Sequence, residues 1–230
     1  MKILKEYKYI FFDFDGTIVN TINGTRESAL YALNYFGINE NDNKDLGRIF
    51  CGPPLKESFS KYNLTDKQIE KAIMLYRDFQ ANNTIECNEI YDGIKEMLQE
   101  LKENGKKCYI VTSKLEETAK KILRFFGIFD YFDLIVGATS DGCRNQKNEV
   151  IKYAIENIKK YNSENAIMIG DRPSDIKAGI LNNMDTIGVL YGMDTKENLS
   201  DAGATYLINT PKKIIEIVDG ARKADVENNL

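Results

Sequence analysis

Two aspartates, Asp13 and Asp15, close the apolar run in "YIFFDFDGTIVN" (9–20). Residues two apart on extended backbone point the same way, so both carboxylates face one side. Like charges placed together cost free energy unless something positive lies between them. Asp15-Gly16 also reads as an ordinary turn at a strand end, so the rest of the chain must decide. Further acids follow a later apolar run, in Gly170-Asp171-Arg172-Pro173-Ser174-Asp175 after "AIMI". Thr112-Ser113-Lys114 follow "CYIV", and Lys147 stands where the helical pattern "NQKNEVIKYAI" begins. Clustered acids make sense as ligands for Mg²⁺, which takes one or two carboxylates plus water and phosphate oxygens. A Lys, a Thr hydroxyl and backbone N–H groups hold phosphate oxygens electrostatically. An aspartate can itself be a nucleophile that forms an aspartyl-phosphate, and a second one can move the proton.

The chain contains no histidine. That removes a Ser-His-Asp triad, a Cys-His pair, a phosphohistidine and any His-ligated metal site. Carboxylates, Lys and hydroxyls must do any chemistry, with an oxygen-loving metal. Cys51, Cys87, Cys108 and Cys143 are scattered without a CxxC pair, which points to thiols in a reducing cytoplasm. Lys plus Arg is 31 against 35 for Asp plus Glu, a net charge of −4. The Lys pairs are spread out and form no nucleic-acid footprint. "MKILKEYKYIFF" is too charged for a signal peptide, and no apolar run reaches membrane-span length. The expected partner is therefore a small molecule, in a monomeric or weakly self-associating cytoplasmic protein.

These residues need a frame. Six short runs rich in Ile, Val, Phe and Tyr recur: 7–12, 107–112, 133–137, 166–170, 186–190 and 205–208. Continuous apolar runs of this length suit strands buried on both faces. Amphipathic segments between them, such as "IKEMLQELKENG" and "LEETAKKILRFFG", read as helices, the second ending at Gly127. The alternation predicts an α/β fold, a doubly wound parallel sheet. Ligands in such sheets bind at the carboxyl ends of the strands, where the quoted acids, hydroxyls and Lys fall. From about Asn20 to Cys87 the rhythm breaks into helical segments without a good strand. This predicts an inserted all-helical cap over 19–87, with core at 1–18 and 88–220 and hinges near Ile18–Thr21 and Thr84–Ile90. The polar stretch 221–230 reads as a tail.

With "DFDGT", "IVTS", Lys147 and "GDRPSD" in this order, the chain resembles the haloacid dehalogenase superfamily of phosphotransferases over nearly its whole length. The resemblance implies that Asp13 is the nucleophile and that Asp15 protonates the leaving alcohol, then deprotonates the attacking water. It implies Mg²⁺ on the Asp13 carboxylate, the Asp15 carbonyl and Asp171, with Asp175 in support. Thr112 and Lys147 would bind the phosphoryl oxygens, with backbone N–H groups near Phe14, Asp15, Gly16 and Ser113. Rival readings stay open: Thr112 as a plain strand-end hydroxyl, Arg144 in place of Lys147, and Asp175 as a helix cap. Arg172 is read as structural.

Dehalogenases of the superfamily lack the second aspartate, so Asp15 favours phosphomonoester hydrolysis. Mutases of this cap type use a cap histidine, absent here. Within the cap, "CGPPLKESF" (51–59) presents Gly52, two of only four prolines, and Lys56. Lys56 and Arg48 are candidates for a remote anionic group, although the segment is equally readable as a connecting loop. A Schiff-base role for Lys56, as in a phosphonate-cleaving relative, is a lesser alternative. The resemblance points toward phosphoglycolate-phosphatase-like hydrolases, with 5′-nucleotidases as the alternative. A binding module without turnover has no need of Asp15 as well as Asp13.

Overall fold

The six apolar runs form six strands of one parallel sheet. The computed structural model describes residues 5–141 and 143–220; the segment 221–230, read above as a tail, lies outside them. In chain order, β1 (Tyr9–Phe12) and a two-residue β2 (Val19–Asn20) lead into α1 (Ile22–Tyr35), α2 (Leu46–Phe50), α3 (Leu55–Phe59) and α4 (Asp66–Asn83). The chain returns through β3 (Glu89–Ile90), α5 (Ile94–Glu103), β4 (Lys107–Leu115), α6 (Glu116–Phe125), β5 (Leu134–Ala138) and α7 (Lys147–Glu156). It ends with β6 (Ala166–Gly170), α8 (Pro173–Leu181), β7 (Asp185–Val189), α9 (Lys196–Asp201), β8 (Tyr206–Ile208) and α10 (Lys212–Val218).

The strand order is β5-β4-β1-β6-β7-β8, with every pairing parallel. β1 shows why the sheet must be covered on both sides. Its side chains alternate between faces: Ile10 and Phe12 join a core with α5, α6 and α10, while Tyr9 and Phe11 join one with α7 and α8. No residue of β1 is left to face water. The doubly wound α/β reading is therefore correct. The order also makes β1 the switch point, flanked by β4 and β6, where the crevice of such a sheet opens.

Between Thr21 and Thr84 the chain builds a separate helical core of Leu33, Leu46, Phe50, Phe59, Ile69 and Tyr76. Phe50 and Phe59 meet edge to face at 4.8 Å, a favoured arrangement for aromatic quadrupoles. The long helix α4 starts on a capping box. Thr65 Oγ1 accepts the Gln68 N–H at 3.4 Å, and Gln68 Oε1 accepts the Thr65 N–H at 2.9 Å. Those two bonds satisfy N–H groups that a helix start otherwise leaves orphaned. One element was not foreseen. At the two crossings between the helical insert and the sheet, β2 and β3 pair antiparallel, Val19 with Ile90 and Asn20 with Glu89. Two residues are too few to leave a periodic signal in the sequence.

Candidate active site

Parallel register carries the ends of β1, β4 and β6 to a common edge, since Phe12 pairs with Ile110 on one side and Ile169 on the other. Asp13 continues that register, its N–H donating to the Ile169 carbonyl at 2.8 Å. One residue past β6 stands Asp171, and Asp175 follows in the first turn of α8. Carboxylate oxygens of Asp13, Asp171 and Asp175 lie within 4.8 Å of one another, and all three residues are buried. Glycines make the crowding possible. Gly16 has φ +84°, and a Cβ there would stand 2.1 Å from Asp171 Oδ2.

One lysine enters this cluster. Lys147, the first residue of α7, donates to Asp13 Oδ1 at 2.5 Å and to the Val111 carbonyl at 3.1 Å. It also lies 3.0 Å from Asp175 Oδ1. Arg144, its rival in sequence, is engaged elsewhere: it donates to the Gly137 carbonyl and to Glu116, and its guanidinium stacks on Tyr153. Asp175 does also cap, accepting the Arg172 N–H through Oδ2 at 3.1 Å.

A single lysine does not balance three buried acids. Burial, and then the Asp175 charge, push Asp13 up to about 7 even though Lys147 pulls it down. Burial and the Asp175 and Asp13 charges raise Asp171 well above the usual carboxylate range. Burial alone would lower Lys147, but the two carboxylates outweigh it and hold the ammonium above its ordinary value. Two buried oxygens, Asp171 Oδ1 and Asp175 Oδ1, have no aligned hydrogen bond among the described residues. Asp171 Oδ2 accepts the Met193 N–H at 2.9 Å. Carboxylate oxygens converging from three buried acids, with Asp171 Oδ1 left without a hydrogen bond or ion pair among the described residues, are the donor set of a hard divalent cation. The residues present fit Mg²⁺.

Asp15 lines the same cavity but stands outside the three-acid cluster. Its Oδ1 turns away from the cluster, to Thr21 Oγ1 at 2.5 Å and Lys114 Nζ at 3.0 Å. Any metal contact from Asp15 is left to its main-chain carbonyl. Two residues on the same strand exit thus occupy different environments, because Gly16 turns the chain back and Gly16 N bonds the Val19 carbonyl at 2.9 Å.

The other residues are held by β4. Opposite β5, Val111 pairs with Val136 and Leu115 with Ala138, so three residues of β4 stand against Gly137 alone. Such a bulge re-aims side chains, here over Thr112, Ser113 and Lys114, which all line one cavity with Asp13 and Asp15. Thr112 is buried, and its Oγ1 accepts the Lys114 N–H at 3.1 Å. Phe14 is fully buried in the core, so only its backbone can serve a ligand.

The cavity, of about 320 Å³, is closed on the far side by the helical insert, including Gly52, Pro53, Pro54 and Lys56. Arg48 is placed differently from Lys56. It does not line the cavity but donates to the Met193 carbonyl at 3.3 Å. With Arg172, which donates to the Arg48 carbonyl at 3.3 Å, it ties insert to core. Gly52, at φ +100°, lies against that Arg172 side chain, where a Cβ would meet Nε at 2.3 Å. Sequence reasoning assigned no role to Lys114, Thr21 or Arg77. The signal for Lys114 was available, because Thr112 and Lys114 share the two-residue spacing of Asp13 and Asp15. Arg77 had none, since the face that α4 turns to the cavity is set by tertiary packing.

A family model described as haloacid dehalogenase-like hydrolase matches residues 10–189, and the chain belongs to that family. Among solved structures, a predicted phosphatase from Clostridium acetobutylicum superposes with a TM-score of 0.85 at 40% identity, covering 92% of this chain and 99% of that one. The 5′-nucleotidase of Pseudomonas aeruginosa is 34% identical over 84% of this chain and 87% of its own length. A Mycobacterium tuberculosis relative called tyrosine-protein kinase PtkA is 33% identical over 86% of this chain and 67% of its own. The chain is thus a phosphatase-class enzyme of the haloacid dehalogenase family. The relatives differ in the substrates their names state, so specificity has to be argued from the site.

Proposed function

We propose that this enzyme hydrolyses a small phosphate monoester through an aspartyl-phosphate on Asp13, with Mg²⁺ as cofactor and residues 19–87 as its cap. The observation that carries this reading is the split environment of the two strand-end acids. Asp13 sits with Lys147 and the acid cluster, while Asp15 faces Thr21 and Lys114 across the same cavity.

In the proposed reaction, Asp13 attacks phosphorus in line and the ester P–O bond breaks. Asp15 hands a proton to the departing alkoxide; Thr21 and Lys114 hold its Oδ1, which leaves Oδ2 for that proton. In the second half, water attacks the same phosphorus, Asp15 takes its proton, and the bond to Asp13 breaks. Lys147 and Thr112 steady the phosphoryl oxygens, with backbone N–H groups around Phe14, Asp15 and Ser113. Asp13, Asp171, Asp175 and the Asp15 carbonyl would hold Mg²⁺, whose chemistry is to neutralise charge on the phosphoryl group. Loose phosphoryl transfer needs mainly positioning and charge stabilisation, which these residues supply. The cap excludes bulk water from the cavity.

The substrate is proposed to be a small phosphorylated acid of the phosphoglycolate type. A second reading, a nucleoside monophosphate, draws on the Pseudomonas relative and on the apolar cavity wall of Phe50, Ile73 and Tyr76. Mg²⁺-dependent release of phosphate from p-nitrophenyl phosphate, phosphoglycolate and nucleoside monophosphates tests both. Turnover that survives Asp13→Asn, or that never depends on a divalent cation, would sink the mechanism.

A further inference from the structure

Five cationic side chains line the cavity: Lys56, Arg77, Lys114, Lys147 and Arg172. Three are committed. Lys147 holds Asp13 and Asp175, Lys114 holds Asp15, and Arg172 reaches the Arg48 carbonyl and the Met193 sulfur. Arg77 and Lys56 differ, since neither side chain has an ion pair, hydrogen bond or ring contact among the described residues. Both come from the cap, opposite the acid cluster. Glu57, the carboxylate that the cap contributes to the lining, pairs with neither.

Arg77 is the more telling of the two. It lies on the α4 face formed by Ile73, Tyr76, Arg77 and Gln80, all lining the cavity, at the spacing that puts residues on one side of a helix. Its neighbours Tyr76 and Gln80 are buried and bonded to each other at 3.0 Å. The guanidinium is half-buried beside them, and burial lowers its pKa from the ordinary value. A guanidinium stays charged in proteins, so partial burial without a partner costs free energy that an anion would recover. The planar fork suits a carboxylate or phosphate bidentately.

We propose that Arg77, assisted by Lys56, forms a subsite for a second anionic group on the leaving portion of the substrate. The enzyme then selects compact phosphate esters or anhydrides bearing a carboxylate or a further phosphate over those with an uncharged tail. A cavity of about 320 Å³, at the small end for ligand sites, suits so compact a molecule. The subsite rests on the reading that the transferred phosphoryl group sits at Asp13.

The test compares phosphoglycolate and inorganic pyrophosphate with p-nitrophenyl phosphate as the neutral-tailed reference. In Arg77→Met, the ratio of kcat/KM for the better anionic substrate over p-nitrophenyl phosphate should fall about 10- to 100-fold, mostly through KM, as expected on losing a bond to a charged group. Arg77→Lys should recover part of that ratio. The proposal is overturned if the ratio stays within about twofold in Arg77→Met. The two anionic arms tell a carboxylate subsite from a phosphate one. A binding arm separates this idea from the mechanism it rests on: calorimetric titration of phosphoglycolate and pyrophosphate into Asp13→Asn, with and without Arg77→Met. Turnover that survives Asp13→Asn defeats the mechanism alone. Equal affinity for the anionic ligand with and without Arg77 defeats the subsite, whatever the turnover data say.

Discussion

Removing the divalent cation should make the folded protein lose stability as pH rises from about 5 to about 7. The reason lies in Asp13, whose carboxyl is raised from an ordinary 3.8 to about 7 by burial and then by Asp175. Between those two values the folded state holds a proton that the unfolded chain has released, so stability falls with rising pH. Below about 4 both states are protonated, and above about 7 both are ionised, so the slope is confined to that window. Each pH unit inside it is worth about 1.4 kcal/mol per such group, or about 3 kcal/mol between pH 5 and pH 7. Asp171, raised in the same direction, adds to the slope. In a protein of this size about 3 kcal/mol corresponds to roughly 6–12 °C in Tm. Thermal melts across this pH range in chelator should show the decline. Added Mg²⁺ should reverse it most strongly near neutrality, where the ionised acids bind the cation. Asp171→Asn should flatten the chelated curve. A chelated protein whose Tm is level or rises from pH 5 to pH 7, or a Mg²⁺ effect equal at both ends, would refute the reasoning.

Other expectations follow from the same geometry. Lys147→Met strips the only cation bonded to Asp13 among the described residues and should cost about 3–5 kcal/mol near neutral pH, with a smaller loss near pH 5, read by chemical denaturation. Asp15→Asn should lower kcat about 10²- to 10⁴-fold on an alkyl phosphate and less on an aryl phosphate, whose leaving group needs little protonation. Gly16→Ala places a Cβ 2.1 Å from Asp171 Oδ2 at φ +84°, so it should destabilise the protein by about 1–3 kcal/mol. It should also erase the extra stabilisation by Mg²⁺ in thermal melts.

Much of this protein was legible from residue order alone. Six apolar runs became the six strands of the sheet, because a strand covered on both faces must be apolar at every position, whatever its neighbours. The motif residues fell at strand ends for a related reason: parallel strands all deliver their carboxyl ends to one edge. The absence of histidine already narrowed the chemistry to carboxylates, Lys and hydroxyls. Only the tertiary structure decided how those residues divide. Equal spacing suggested that Asp13 and Asp15 act side by side, yet Gly16 turns the chain, and Thr21, just past that turn, together with Lys114, distant in sequence, draws the Asp15 carboxylate away from the cluster. Arg48 and Lys56 looked equivalent as cap cations, but Arg48 is taken by the Met193 carbonyl while Arg77 on α4 faces the cavity. Strand patterns are local, set by burial on two faces. The direction of a charged side chain depends on which distant partner offers the stronger compensation for its desolvation, and no window of sequence contains both.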